Sequence, residues 1–172
     1  MNNPESELQA KIRQQFDAVT YPRIPVEKYP QNEYELLFLH NLITPYYLRN
    51  QKVIETKGIV ILDAGCGSGY KALVLAMANP GAQIVGIDIS EKSVELARQR
   101  LQYHGFDNAE FHVLPIEELP SLGLEFDYIN NDEVLYLFPD IVVGLQAMKS
   151  VLKPDGIIRT NLHSSLQRHA IF

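Results

Sequence analysis

Three glycines at alternate positions, Gly65, Gly67 and Gly69, follow directly on an apolar run in the stretch IVILDAGCGSGY, residues 59–70. Glycine beside a strand costs backbone entropy, so three within five residues mark either a turn with unusual dihedrals or a backbone that a ligand must approach closely. Two acids accompany the loop: Asp63 stands two residues before Gly65, and Asp88 ends the next apolar run, 19 residues after Gly69. The second position is where nucleotide-binding α/β folds place an acid that accepts from ribose hydroxyls.

The dinucleotide fingerprint G-x-G-x-x-G requires glycine at position 70, where Tyr70 stands. A pyrophosphate sits on the free amides of the following helix, and a bulky side chain there crowds it. The Asp63 carboxylate also repels phosphate and attracts an ammonium or sulfonium. The loop and its two acids therefore favour a nucleoside with positive charge and no phosphate, a description that S-adenosylmethionine fits.

Other reactive side chains are less informative. Cys66 lies inside the loop and has no partner in sequence that would make it a nucleophile; a small loop residue is the better reading. The five histidines, His40, His104, His112, His163 and His169, show no metal-ligand spacing. The polar group Asn130, Asn131, Asp132 and Glu133 interrupts a strand-like run, where burial without partners would be costly, so a site role is weighed there beside a structural one.

These residues need elements to position them. Strand-like runs occur at 58–63, 83–88, 109–114, 126–130 and 156–162, with helical patterns at 69–78, 90–104 and 140–152 between them and a short turn, IEEL, after the third. Ser90 suits the N-cap of the second of these helices. Continuous apolar runs at 59–62 and 84–87 suit strands covered on both faces, and strand–helix–strand repeats imply right-handed crossovers and a parallel sheet. Such sheets bind ligands at the carboxyl ends of their strands, where the glycine loop falls.

Ahead of residue 57 the composition differs. SELQAKIRQQFDAV places Leu8, Ile12 and Phe16 on one helical face, with Ser6 and Gln9 spaced as a capping box. TYPRIPVEKYP, with Pro22, Pro25 and Pro30, reads as an extended, draped segment, in which Tyr21 serves either as a lid or in packing. NEYELLFLHNLI reads as a helix with Asn32 as N-cap, ending before Pro45. The expected organisation is an N-terminal helical cap over 1–56 and a core over 57–172.

Four ordered motifs, VILDAGCGSG, VGIDIS, FDYINNDEVLYLFPD and MKSVLKPDGII, resemble those of the class I S-adenosylmethionine-dependent methyltransferases, over roughly residues 57–160. FDAVTYPRIPVEKYP is similar, more weakly, to the leader of bacterial members that carry a C-terminal regulatory region. The resemblance implies an α/β, Rossmann-like doubly wound sheet with helices on both faces. It places Asp63 and the loop backbone at Gly65, Cys66 and Gly67 toward the methionine portion of S-adenosylmethionine. Asp88, with Ile89 beside it, faces the ribose, and Ile116 and Glu117 face the adenine. The backbone near Asn131 and Asp132 lies beside the transferable methyl group.

The sequence departs from the family in two places. Pro115 occupies the position where many members have an aspartate for the adenine amino group, a contact that Glu117 would have to replace. The family sheet also ends with two further strands, whereas this sequence stops at Phe172 just past strand five. The expectation is a fragment, or a sheet completed otherwise, whose open edge can pair with another chain.

Composition limits the rest. A net charge of -6 without a dense basic cluster argues against nucleic acid, no apolar run is long enough to span a membrane, and one cysteine in 172 residues fits a reducing cytoplasm. The expected activity is methyl transfer to a small molecule or protein, with Asp132 or Glu133 as candidate bases and no catalytic residue assigned. The rival readings are a cofactor-binding or regulatory module without turnover and, less favoured, a nicotinamide-dependent oxidoreductase.

Overall fold

A computed structural model describes residues 4–162. Strands β1 (Val60–Ala64), β2 (Gln83–Asp88), β3 (Ala109–Val113), β4 (Phe126–Asn131) and β5 (Leu152–Thr160) form one sheet in the order β3-β2-β1-β4-β5. Every neighbouring pair is parallel, and β1 lies between β2 and β4 with Asp63 in register with Gly86 on one side and Asn130 on the other. Chain order reverses direction around β1, so this strand's carboxyl end is the topological switch point.

The period-2 alternation of a strand sends successive side chains to opposite faces. Ile61, Ile84, Phe111 and Tyr128 join one core cluster, with residues of α4 (Tyr70–Ala78) and α5 (Glu91–Tyr103). Leu62, Val85, Ile87 and Ile129 join the other, with Met148 of α6 (Ile141–Ser150) and the 3-10 segment Ile116–Leu122. Helices therefore cover both faces, as the apolar runs require.

The N-terminal part holds three helices, α1 (Pro4–Ala18), α2 (Tyr34–Leu39) and α3 (Ile43–Asn50). Several boundaries differ from those read off the sequence. Helix α1 starts ahead of Ser6, which puts the expected capping residue inside the first turn. Helix α2 begins one residue later than Asn32 would dictate, with Glu33 at the N-cap position. Pro45 lies in the first turn of α3, where its missing N–H breaks no helical bond. Strand β5 starts at Leu152 and not at 156, because the LKPDG segment joins the sheet through a register shift opposite Phe126–Tyr128. Ser90 caps α5 as expected, its Oγ accepting from Ser93 N.

The draped segment is fixed by one side chain. Arg100 of α5 is 1% exposed, yet its guanidinium meets no carboxylate within ion-pair distance among the described residues. It donates from Nε to Ser68 O (2.9 Å), from Nη1 to Pro25 O (2.7 Å) and from Nη2 to Ile24 O (2.7 Å). Its Cζ also stands 5.6 Å from the centroid of the Tyr70 ring. Only a planar fork of donors can reach three carbonyls on two chain segments at once. His104, one turn on, adds a bond from Nε2 to Val26 O at 2.8 Å. The segment 21–26 is thereby strapped onto the glycine loop.

Replacing Arg100 with Ala leaves these carbonyls without their donors. A charged hydrogen bond is worth about 1.5–3 kcal/mol, so the variant is expected to lose about 3 kcal/mol or more in urea unfolding. Arg100→Lys should recover only part of that loss, because an ammonium cannot span the fork; full recovery by lysine would contradict the geometry.

Candidate functional site

The glycine loop opens a cleft of about 800 Å³ along the carboxyl ends of β3, β2, β1 and β4. Two glycines show why the loop needs them. Gly67 has φ +50°, and a Cβ there would collide with the Tyr21 carbonyl oxygen of the strap. Gly69 has φ +80°, and its Cβ would stand 2.6 Å from Ala97 Cα of α5. The loop is thus compressed between strap and helix. Ser68 N donates to Tyr21 O (2.8 Å) and Ser68 Oγ to Pro22 O (2.7 Å), closing the contact.

Gly65, Cys66, Gly67, Asp88, Ile89, Ile116 and Glu117 all line this cleft, so the structure brings together residues that the sequence spreads over 53 positions (65 to 117). Asp63 and Asn131 do not line it. Asn131 is buried, with Nδ2 donating to Ala64 O (2.9 Å) and Oδ1 accepting from Thr160 Oγ1 (3.1 Å). Its neighbour Asp132 does reach the cleft. Tyr21 lines the mouth and is 60% exposed; its backbone, and not its ring, holds it to the loop.

Asp88 takes one bond per carboxylate oxygen from its own chain: Gly67 N to Oδ2 and Ser90 N to Oδ1, both at 2.9 Å. Ile89 adds a further backbone contact, and a carboxylate with about four lone-pair sites keeps acceptor capacity on a group that lines the cleft. Burial pushes its carboxyl up, against the lowering pull of those backbone N–H groups. Burial likewise drives the Cys66 thiol well above its ordinary value, which makes it inert as a nucleophile.

Asp63 is 2% exposed. Its Oδ1 accepts from Asn130 Nδ2 at 2.8 Å, whereas its Oδ2 is buried with no hydrogen-bond partner. Burial pushes this carboxyl up to about 6, the Asn130 bond working the other way. A buried carboxylate oxygen without a donor is costly unless a ligand supplies one.

Sequence reasoning left Lys71 and His40 unassigned, and both stand at Asp132. The Asp132 Oδ2 lies 3.0 Å from Lys71 Nζ and 3.7 Å from His40 Nε2, and Oδ1 lies 2.8 Å from Arg159 Nη1. Burial tends to raise the Asp132 carboxyl, but His40, Lys71 and Arg159 together outweigh it and hold the group well below the usual carboxylate range. At neutral pH it is therefore a poor general base. Glu133, which follows, has φ +61°, a left-handed backbone that non-glycine residues seldom adopt and that clusters at functional sites. Among the described residues no group of three His, Cys, Asp or Glu side chains is arranged to hold a metal ion, and no helix is long and apolar enough to cross a membrane. His163 and His169 lie outside the described residues.

Helix α1 lies across the cleft mouth. Gln9, Ile12, Gln15 and Phe16 line it; Gln9 Nε2 donates to Glu117 Oε1 (2.8 Å), and Asp17 Oδ1 accepts from Ser90 Oγ (2.6 Å). The Leu8 side chain lies outside the described residues.

Residues 55–170 match the family model described as a methyltransferase domain. A ubiquinone biosynthesis O-methyltransferase of Dinoroseobacter shibae is 33% identical over 150 residues, covering 81% of this chain and 58% of that protein. An uncharacterised protein of Synechococcus sp. is 32% identical over 169 residues, 98% of this chain and 40% of its own length. The chain thus spans roughly half the length of these relatives. Among solved structures, a magnesium protoporphyrin IX methyltransferase from Synechocystis with bound S-adenosylmethionine has TM-score 0.62, at 21% identity over 88% of this chain and 75% of its own. The [4+2]-cyclase SpnF has TM-score 0.66, at 22% identity over 88% and 59%. At such identities the two structures establish a shared fold.

The two acids of the site titrate in opposite directions. Asp63 is raised, so its contribution to stability is full below about pH 4 and is lost as pH climbs through about 6. Asp132 is lowered, so its contribution is present above the ordinary carboxylate range and lost only below it. Asp63→Asn should remove the first slope. Urea unfolding of the ligand-free chain at pH 4.5 and 7.5 is expected to move by about 2 kcal/mol in favour of the variant at the higher pH. Parallel profiles for the two proteins would sink the assignment.

Proposed function

The chain belongs to the methyltransferase-domain family, and on that premise we propose that its cleft binds S-adenosylmethionine and presents its methyl group to a small-molecule or protein acceptor. The observation that carries this reading is that the glycine-loop backbone and the Asp88 carboxylate line one cleft, with Asp88 Oδ2 accepting from Gly67 N at 2.9 Å. When bound, this cofactor supplies a methyl group already activated by a sulfonium. The protein's work is then to bind, orient and exclude water.

The residues present suit those tasks. Gly65, Cys66 and Gly67 form the backbone wall against the amino-acid end. Asp88 supplies its remaining acceptor capacity to the ribose hydroxyls, with Ile89 and Ile116 as apolar walls. Glu117, bonded to Gln9, replaces the acid that Pro115 displaces at the adenine end. Asn131 supports β4 from within, and the backbone after it borders the methyl group. Residues 1–56 act as a cap and lid over the core of 57–172, with α1 bridging the cleft mouth through Gln9 and Asp17.

Because Asp132 is too acidic for proton abstraction at neutral pH, it serves charge balance and not base catalysis in this reading. A cytoplasmic location agrees with a single, buried cysteine. The outer edge of β5, which pairs with no strand among the described residues, is the surface for self-association.

Calorimetric titration tests the reading. S-adenosylhomocysteine is expected to bind in the micromolar range, NAD not at all, and Asp88→Ala to weaken the first by tenfold or more. Binding of NAD with equal strength, or no effect of the Asp88 change, would exclude the proposed site.

A further inference from the structure

The residues assigned to the nucleoside line only part of the cleft. Beyond the end of β4 its walls are Leu36 of α2 and Val134, Tyr136, Leu137, Phe138 and Pro139 of the segment after that strand. This segment folds into a short 3-10 turn, Leu135–Leu137, and is pinned at two glycines. A Cβ on Gly65 would collide with Val134 Cγ2, so Val134 packs on the glycine loop itself. A Cβ on Gly144 of α6 would stand 3.0 Å from Leu135 Cδ2 and 3.3 Å from the Phe138 ring. Glycine inside a helix is destabilising, and here it makes the room that seats both side chains. Leu135 is fully buried, and Val134 and Phe138 pack against the same core cluster. Leu137, held between them, and Leu36 are half-buried but belong to neither core cluster among the described residues. Apolar side chains that converge on a cleft from separate elements, outside the core, are the lining of a ligand pocket.

The charged side chains lining this end are Lys71, Asp132 and Glu133, and each is matched within the chain. Asp132 meets Lys71 Nζ at 3.0 Å and Arg159 Nη1 at 2.8 Å. Glu133 Oε1 accepts from Asn161 Nδ2, and Glu133 N donates to Asn161 Oδ1 at 2.7 Å. A charged ligand would give up hydration here without gaining an unmatched counter-charge. A peptide would bring one N–H and one C=O per residue, each needing a partner. The wall offers few: Leu137 N and Phe138 N already donate within the turn, to Val134 O (2.9 Å) and Leu135 O (3.1 Å), and Pro139 has no N–H. A neutral apolar molecule meets neither cost and covers Leu36 and Leu137.

Resting on the S-adenosylmethionine reading, we propose that this end of the cleft seats the methyl acceptor, and that the acceptor is an uncharged, largely apolar small molecule and not a protein segment. Leu36 and Leu137 are then its specificity-determining contacts. The packing of Val134 on Gly65 sets this pocket directly beside the glycine loop, so acceptor and cofactor occupy adjoining parts of one cleft and bind together.

The test is calorimetry on the full chain saturated with S-adenosylhomocysteine, using two probes that share one ring system, neutral 2-naphthol and anionic 2-naphthalenesulfonate. The first is expected to bind alongside S-adenosylhomocysteine and at least about tenfold more tightly than the second. Leu137→Ser and, on a separate element, Leu36→Ser should each weaken 2-naphthol by about fivefold or more, through lost apolar contact. Leu137→Met should keep it within about twofold, because the apolar contact remains. All three variants should bind S-adenosylhomocysteine within about twofold of the wild-type chain, which also shows that they fold. No binding of 2-naphthol, its displacement by S-adenosylhomocysteine, equal binding of the two probes, or indifference to both serine changes overturns this proposal and leaves the cofactor reading standing. Failure of S-adenosylhomocysteine to bind the wild-type chain overturns the cofactor reading and this proposal with it.

Discussion

The site depends on one buried cation. Arg100 sits where strap, glycine loop and α5 converge, and it draws three carbonyls from two segments onto one guanidinium. A buried charge without a counter-ion is expensive, and here backbone dipoles and the Tyr70 ring stand in for a carboxylate. The arrangement explains features that otherwise look unrelated. Gly67 must be glycine because the strap's carbonyl lies against it. Tyr70, which replaces the glycine of a dinucleotide site, packs on Arg100 and donates to Glu33 Oε1 at 2.6 Å. That side chain ties α2's entry to the loop.

Electrostatics at the strand ends divides along the same lines. Asp63, within β1, and Asp132, just after the neighbouring β4, differ in partners. Asp132 has three basic side chains around it and is held ionised; Asp63 has one amide and is raised toward neutrality. The difference separates a carboxylate that balances fixed charges from one buried with a single amide donor.

Much of this was legible in the sequence. The apolar runs at 59–62 and 84–87 required strands covered on both faces, and the parallel sheet follows from their alternation with helices. The glycines and Asp88 announced the cleft because their spacing is local to β1 and β2, whereas Asp63 does not line it. Long-range contacts were not legible. Nothing in periodicity connects Arg100 to Pro25, or Gln9 to Glu117 across 108 positions, since such bonds depend on how helices pack and not on any repeat. The boundary of β5 was missed for a similar reason: a bulge opposite Phe126 admits LKPDG into the sheet, whereas its Pro and Gly read as a turn. Lys71 was passed over because a lysine in a helix's first turn carries no signal until Asp132 is seen beside it.

The central claim is that strap, glycine loop and the ends of β2 and β3 form a single ligand site. Amide hydrogen exchange of the full chain, with and without S-adenosylhomocysteine, tests it most directly. The account predicts that the ligand slows exchange together in residues 21–26, 65–69, 88–90 and 114–118. Protection confined to the loop with the strap unchanged, or protection at none of these segments, would contradict it.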